Sequence, residues 1–134
     1  MSKVTARVTR KPKYIAYQSF LANKVKTLVA RSCNMVRNTA IQEIAQGVKS
    51  GADRGDGSRA SASGEYPATD TGFLISNINV NIKNNGYTGL VESNAQYSSH
   101  LEFGTSKMGA RPFMQPSLEE NRPKIKQLFR NVRK

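Results

Sequence analysis

The chain has 134 residues, with 21 Lys and Arg against 9 Asp and Glu, a formal net charge of +12 and 37% apolar residues. This length fits one domain of about 100–200 residues, here 1–134, and the low apolar fraction predicts a lean core. The single Cys excludes a disulfide scaffold and a thiolate-rich zinc site. The polar start predicts no secretory signal, and no stretch approaches the roughly 18 apolar residues of a membrane span.

The first third of the chain is predicted to be a basic arm followed by one long helix. Residues 1–12 are polar and basic and end at Pro12, whereas the chain from about Lys13 to Gln46 has neither Gly nor Pro. In that stretch, apolar or small residues recur every three or four positions: Leu21, Val25, Leu28, Ser32, Val36, Ala40 and Ile44. This is the period of an amphipathic helix. At about 1.5 Å per residue it would reach roughly 50 Å, so we expect one end to project or to pack on a neighbour.

Residues 47–66 contain five Gly and four Ser and almost no large apolar side chain. Such a composition does not repay the entropy of ordering, and a loop of about twenty residues is unusual inside a compact domain. We therefore predict a long flexible loop over 47–68. This loop is either disordered or ordered against a partner.

A hairpin is predicted in the second half of the chain. Asp70 is expected to cap a single helical turn that begins near residue 73. The alternation of Ile78, Val80 and Ile82 with polar residues has the period of a half-buried strand. Residues 84–86, Asn-Asn-Gly, are a hairpin turn signal, and 87–92 return as a second strand. Two strands alone make a poor sheet, so they must lie on the long helix, gain further strands or pair with another subunit.

The last third is predicted to hold a short helix, a loop and a closing helix. Residues 94–103 are expected to be helical, with Tyr97, His100 and Leu101 facing inward, and Gly104 is expected to supply a left-handed helix cap. Residues 105–115 contain Gly109 and Pro112 and predict a loop or an extended segment. The order of helices and strands predicts an α+β fold.

The closing helix is expected to begin near Pro116. Ser117 and Glu120 have the spacing of a capping box. Pro123 lies inside the helix and predicts a kink, or a restart capped by Asn121.

Signals of catalysis are weak. His100 is the single histidine, and Cys33 falls in the long helix, where we expect it to be buried or half-buried. No catalytic set, metal site or cofactor site can be assembled from these residues with any specificity. The chain is therefore not predicted to be an enzyme.

Positive charge concentrates at the two ends of the chain. The arm contributes the candidate contacts to DNA or to an acidic partner, which are Arg7, Arg10, Lys11 and Lys13. No helix-turn-helix, zinc finger or aromatic RNA-binding pattern is present. The cations therefore indicate loose contact with phosphates or with acidic neighbours, or simply a solvated surface.

One stretch is distinctive enough to suggest a family. It contains Glu102-Phe103-Gly104-Thr105, then Arg111-Pro112-Phe113, then Pro116 before a helix with a basic end. Upstream lies Asp70-Thr71-Gly72, after a Gly/Ser-rich loop and a long helix. These features resemble the small neck or tail-completion proteins of long-tailed double-stranded-DNA bacteriophages. Asn77 and Ser117 depart mildly from the pattern, since the family usually has Ser at the first position and more often Ala at the second.

The physical roles of these residues are expected to be structural. The Glu102 carboxylate either pairs with Arg111 or caps backbone donors, while Pro112 and Pro116 stiffen the loop and Phe113 anchors it. The resulting ridge either contacts another subunit or closes the core of its own chain. The predicted subunit-interface or assembly residues are Glu102, Phe103, Gly104, Thr105, Arg111, Pro112, Phe113 and Pro116.

The resemblance implies a virion structural protein without a cofactor. It would form a homo-oligomeric ring, commonly six-fold, at the joint between head and tail. Its partners would be neighbouring connector, neck or tail-tube proteins, with genome DNA in the lumen and no membrane. Its location would be the virion tail or neck, and the host cytoplasm during assembly. The alternative from the charge alone is a small basic protein that binds nucleic acid non-specifically.

Overall fold

A computed structural model describes residue 6 and residues 12–69 and 72–132, and the side chains of 12–15 are not described. Several residues discussed above fall outside this part. They are Arg7, Arg10, Lys11, Asp70 and Thr71, together with the side chain of Lys13.

The described elements are four helices and one hairpin. In chain order they are α1 Pro12–Gln46, α2 Phe73–Ser76, β1 Ile78–Lys83, β2 Thr88–Ser93, α3 Ser98–Phe103 and α4 Met114–Arg130. A 3-10 turn over Asn84–Gly86 joins the two strands. The predicted α+β class is confirmed, and so are the long first helix and the hairpin.

The buried face of α1 follows the predicted stripe from Leu28 onward. Its buried residues are Leu28, Ser32, Cys33, Val36, Ala40 and Ile44. Leu21 and Val25 are half-buried, while Tyr17 and Phe20 are 49% and 58% exposed. The chain therefore covers the second half of α1 more fully than the first.

The hairpin lies along α1, which is the first of the three arrangements that the sequence allowed for the two strands. β1 and β2 pair antiparallel, with Ile78 opposite Ser93 and Lys83 opposite Thr88. Asn84 and Asn85 have positive φ angles of 52° and 56°, which Asn tolerates better than most residues. The turn thus meets the geometry that the Asn-Asn-Gly sequence predicted.

One glycine allows the hairpin to approach α1 closely. A Cβ at Gly89 on β2 would overlap the sulfur of Cys33 and would lie 3.1 Å from Cγ1 of Val29. Cys33 is buried there, as predicted, and burial raises the pKa of its thiol. The absence of a side chain at Gly89 therefore sets the distance between β2 and α1.

The core sits where α1, α2, the root of the hairpin and the start of α4 meet. Its buried members are Ala40, Ile44, Leu74, Ile78, Ala95 and Phe113. Phe113 precedes α4 and packs in the same cluster as Ile44. Farther along α4, the side-chain amide of Asn121 donates a hydrogen bond to Oγ1 of Thr39 at 2.8 Å. Helix α4 therefore runs antiparallel to α1.

The short third helix differs from its prediction. Helix α3 begins at Ser98 rather than near Asn94. Leu101 is half-buried, but Tyr97 and His100 are exposed, so the inward orientation predicted for those two side chains is wrong. A helix of six residues presents only one narrow face to the core, and Leu101 occupies it.

The start of the last helix also differs. Helix α4 begins at Met114, so Ser117 lies inside it and its hydroxyl donates to the carbonyl of Phe113. The predicted capping box is therefore wrong. The predicted restart is wrong as well, because α4 continues through Pro123 and the Asn121 amide donates to Ser117 and Thr39 instead of capping.

The Gly/Ser-rich segment folds back on itself. Asp53 and Arg59 form an antiparallel bridge. The Glu65 carboxylate accepts hydrogen bonds from the amide and hydroxyl of Ser50 and from the amide of Ala62, which lowers the Glu65 pKa to about 2. The flexibility predicted for residues 47–68 stays a prediction.

We expect Gly89→Ala to reduce stability by about 1–3 kcal/mol, the usual cost of overpacking a well-packed contact. Urea unfolding followed by circular dichroism measures this change. Cys33→Ala in the Gly89→Ala background removes the sulfur that the new methyl would meet. The Cys33→Ala substitution should therefore recover part of the lost stability. A double variant that loses more stability than the two single variants together would contradict the close approach.

We expect Glu65→Gln to melt at a lower temperature than the wild type above pH 4.5, the ordinary carboxyl pKa. The folded-state pKa lies near 2, so the carboxylate stabilises the fold above pH 4.5 and loses that effect as the pH falls toward 2. Melting curves over this pH range should show the two proteins converging at acid pH. The exposed control Glu119→Gln should show a smaller difference, and a Glu65→Gln difference that does not narrow would refute the prediction.

Candidate assembly site

A carboxylate at the end of α3 caps the beginning of α4. Oε2 of Glu102 accepts the amides of Phe113 at 2.9 Å and Met114 at 3.0 Å, and Oε1 accepts the amide of Gln115 at 3.0 Å. The first amides of a helix have no partner within the helix, and the helix dipole favours a negative charge beside them. Phe113, at the N-cap position, makes no side-chain cap itself. We call this set of three hydrogen bonds the Glu102 cap.

The sequence left two roles open for Glu102, an ion pair with Arg111 or a cap on backbone amides. The structure shows the cap. The Arg111 guanidinium donates instead to the carbonyls of Ser61 at 3.1 Å and Gly109 at 3.2 Å. Its backbone amide donates to the carbonyl of Leu101 at 2.6 Å. Arg111 therefore ties the loop before α4 both to α3 and to the Gly/Ser-rich segment.

Gly104 ends α3 in a conformation that favours glycine strongly. It has φ 76° and ψ 177°, so φ is positive as predicted but ψ is extended, and the cap is not the left-handed one. A Cβ there would lie 2.9 Å from the amide nitrogen of Ala110 and 3.0 Å from the carbonyl oxygen of Met108. Gly104 thus lets the chain leave α3 and return closely past itself.

The eight predicted assembly residues have different surroundings. Phe113 is 1% exposed and belongs to the core, while Glu102 and Arg111 are engaged with their own chain, as described above. Pro112 and Pro116 are half-buried and Thr105 is exposed. Phe103 is 82% exposed and is the one large apolar side chain of the set that faces solvent. A role of these residues between subunits stays a prediction.

An apolar groove lies beside Phe103, between α1, β2, α3 and α4. Its volume is about 830 Å³. Lining residues include Val29 and Cys33 on α1, Leu90 on β2, and Leu118 and Phe129 on α4. Sequence reasoning missed this groove because its walls come from four separate elements.

Within residues 12–69 and 72–132, no three His, Cys, Asp or Glu side chains come together as candidate metal ligands. His100 is exposed on α3. In the same part of the chain no helix is both long and apolar enough to cross a bilayer. The hydrogen bonds of Glu102 and Arg111 are suited to holding backbone segments in fixed positions.

We expect Glu102→Ala to lower the free energy of unfolding by about 1–2 kcal/mol, because three helix N-terminal amides lose their acceptor. Chemical denaturation measures the loss. The matched control is Glu119→Ala, which removes an exposed ion pair with Arg122 and should cost less than about 0.5 kcal/mol. Equal losses in the two variants would show that the Glu102 cap does not stabilise α4.

Comparison with known protein families identifies a related family. The profile of the HK97-gp10-like family, described as "Bacteriophage HK97-gp10, putative tail-component", matches residues 20–104. No curated protein and no solved structure matches the chain significantly. The matched region covers more than half of the chain and runs from α1 to the glycine that ends α3. The chain therefore belongs to the HK97-gp10-like family.

Proposed function

We propose that this protein is a structural component of a phage virion that forms a ring, of six copies, at the head-tail joint or at the top of the tail tube. The ring completes the tail, helps to join it to the capsid connector, and lets DNA pass through its lumen. Family membership supports a role in the tail. The number of copies and the position in the neck come from the resemblance of the Glu102–Pro116 region to tail-completion proteins.

The observation that carries the proposal is that two different apolar surfaces of the chain lack a cover. One surface is the groove of about 830 Å³ with the exposed Phe103 at its edge. The other is the first half of α1, which exposes Tyr17 and Phe20. When one surface of a subunit meets a different surface of the next, the contact is heterologous, and it generates a ring if the rotation closes.

The Glu102 cap supports the contact between subunits by keeping the shape of the groove fixed. It holds the start of α4 against the end of α3, and so it fixes two walls of the groove relative to each other. A binding surface made from several elements keeps its shape only if those elements are held together. In this proposal Glu102, Gly104, Arg111 and Phe113 act by positioning the surface, while Phe103 touches the neighbouring subunit.

We expect Phe103→Ser to weaken self-assembly while leaving the fold intact, because the side chain is 82% exposed in the single chain. The matched control is Val48→Ser, whose side chain is 86% exposed and lies outside the groove. Analytical ultracentrifugation and negative-stain images of the purified proteins measure assembly. In a phage carrying each variant, electron microscopy counts joined particles against separate heads and tails.

The wild type and Val48→Ser should form rings and joined particles, and Phe103→Ser should give smaller species and separate heads and tails. If the wild type stays monomeric both alone and on tails, the ring proposal is overturned. If Phe103→Ser assembles as the wild type does, Phe103 does not lie in the interface.

A further inference from the structure

The apolar groove runs along one edge of the hairpin. Residues 87–91 all line it, and so does Ser93 near the end of β2. Because successive side chains of a strand point to opposite faces, a cavity that touches consecutive residues lies along the edge of the strand rather than over one face. The groove therefore separates the outer edge of β2 from α4, with residues of α1 between them.

The backbone along this edge is unpaired. In the part of the chain that the structure describes, the sheet holds two strands and β2 pairs with β1 alone. The outer edge of β2 therefore presents N–H and C=O groups that belong to no ladder. Such an edge is a template on which an extended segment pairs as a further strand, with main-chain hydrogen bonds supplying affinity. The apolar walls would receive the side chains on one face of that segment.

The walls of the groove carry no positive charge, although the chain has 21 Lys and Arg. None of the lining residues is a Lys or an Arg, and the acidic residue among them is Glu102. A basic segment therefore meets no like charge on these walls, whereas the net charge of +12 opposes its approach to the rest of the molecule.

The sequence of residues 4–9, Val-Thr-Ala-Arg-Val-Thr, has the pattern of such a segment. Apolar residues at positions 4, 6 and 8 alternate with polar ones, which is the period of a half-buried strand, and four of the six residues are β-branched. The chain has no acidic residue before Glu43, so this stretch is also basic. Ala6, which the structure describes, is exposed and belongs to neither a helix nor a strand.

We propose that residues 4–9 of one copy pair with the outer edge of β2 in the next copy and form a third strand in its groove. The apolar residues of the segment pack on the walls, and its polar residues point to the opposite side. The segment leads into α1, so this contact also brings the exposed first half of α1 to the neighbouring subunit. The inference rests on the proposed function, because it names the occupant of a surface by which the ring closes.

The hairpin is placed far from the start of α1. A Cβ at Gly86 in the turn would lie 2.9 Å from Cγ of Lys26, and a Cβ at Gly89 on β2 would lie 3.1 Å from Cγ1 of Val29. From the turn onward, β2 thus leads away from Pro12, where α1 begins. The turn is therefore the part of the hairpin that is nearest to the start of α1.

This distance excludes pairing of the whole segment within one copy. From Pro12 to Lys26 is fourteen residues of continuous helix, about 21 Å along its axis. Val8 lies four residues before Pro12, and four extended residues span at most about 14 Å. Val8 therefore does not reach the hairpin of its own chain, and the strand pairs between copies.

The test measures how a labelled peptide of residues 1–11 binds to the full-length Val4→Asp/Val8→Asp protein. The carboxylates keep the receptor's own segment out of the apolar groove, which stays open to the peptide. Fluorescence anisotropy compares the native peptide with a Val4→Asp/Val8→Asp peptide and a Thr5→Asp/Thr9→Asp peptide. The two substituted peptides have equal charge and differ in which face of the strand carries the carboxylates.

We expect the Thr5→Asp/Thr9→Asp peptide to bind within a few-fold of the native one. The Val4→Asp/Val8→Asp peptide should bind at least about tenfold more weakly, because two Val side chains leave the walls and two carboxylates replace them. Adding Leu118→Lys to the receptor should abolish binding of the native peptide, since Leu118 lines the groove. The matched control is Val48→Lys, an exposed position outside the groove, and circular dichroism checks that both receptors fold.

Equal weakening of the two substituted peptides, no binding of the native peptide, or equal binding to the Leu118→Lys and Val48→Lys receptors would each overturn the inference. Rings formed by the full-length Val4→Asp/Val8→Asp protein as by the wild type would overturn it too, while leaving the proposed ring in place. Groove-dependent binding of the native peptide, with a wild type that forms no ring, would support the inference and refute the ring. The two failures can therefore be told apart.

Discussion

The position of α4 depends on the hydrogen bonds between the Glu102 carboxylate and the first amides of that helix. Three amides of a helix N-terminus need an acceptor, and the residue at the N-cap position, Phe113, has none to offer. Because Glu102 comes from α3, satisfying these amides also sets where α4 begins. With α4 fixed there, Phe113 enters the core beside Ile44, and Asn121 reaches Thr39 on α1. The antiparallel packing of α1 and α4 builds on this start.

The same packing decides which surfaces are covered and which are left open. The core closes around the second half of α1, while the first half keeps Tyr17 and Phe20 exposed. A groove stays open between four elements, with Phe103 at its edge. A chain with a lean core and uncovered apolar surfaces of different shape is suited to completing its burial in an assembly. This links the local chemistry of the cap to the proposed role in the tail.

Two carboxylates, those of Glu65 and Glu102, connect separate segments of the chain. Glu65 accepts three hydrogen bonds from Ser50 and Ala62, and Glu102 accepts the amides of Phe113, Met114 and Gln115, so both carboxylates organise the backbone around them.

The sequence by itself determined the local structure, because periodicity and turn chemistry act over a few residues. The stripe of α1, the Asn-Asn-Gly turn and the α+β order were all predicted and are present. Only the tertiary structure decided the rest. Glu102 lies eleven residues before Phe113, so the sequence allowed an Arg111 pair or a cap, and it predicted that α4 begins near Pro116. The contact of Gly89 with Cys33 and the walls of the groove each join residues distant in sequence, and no local pattern encodes them.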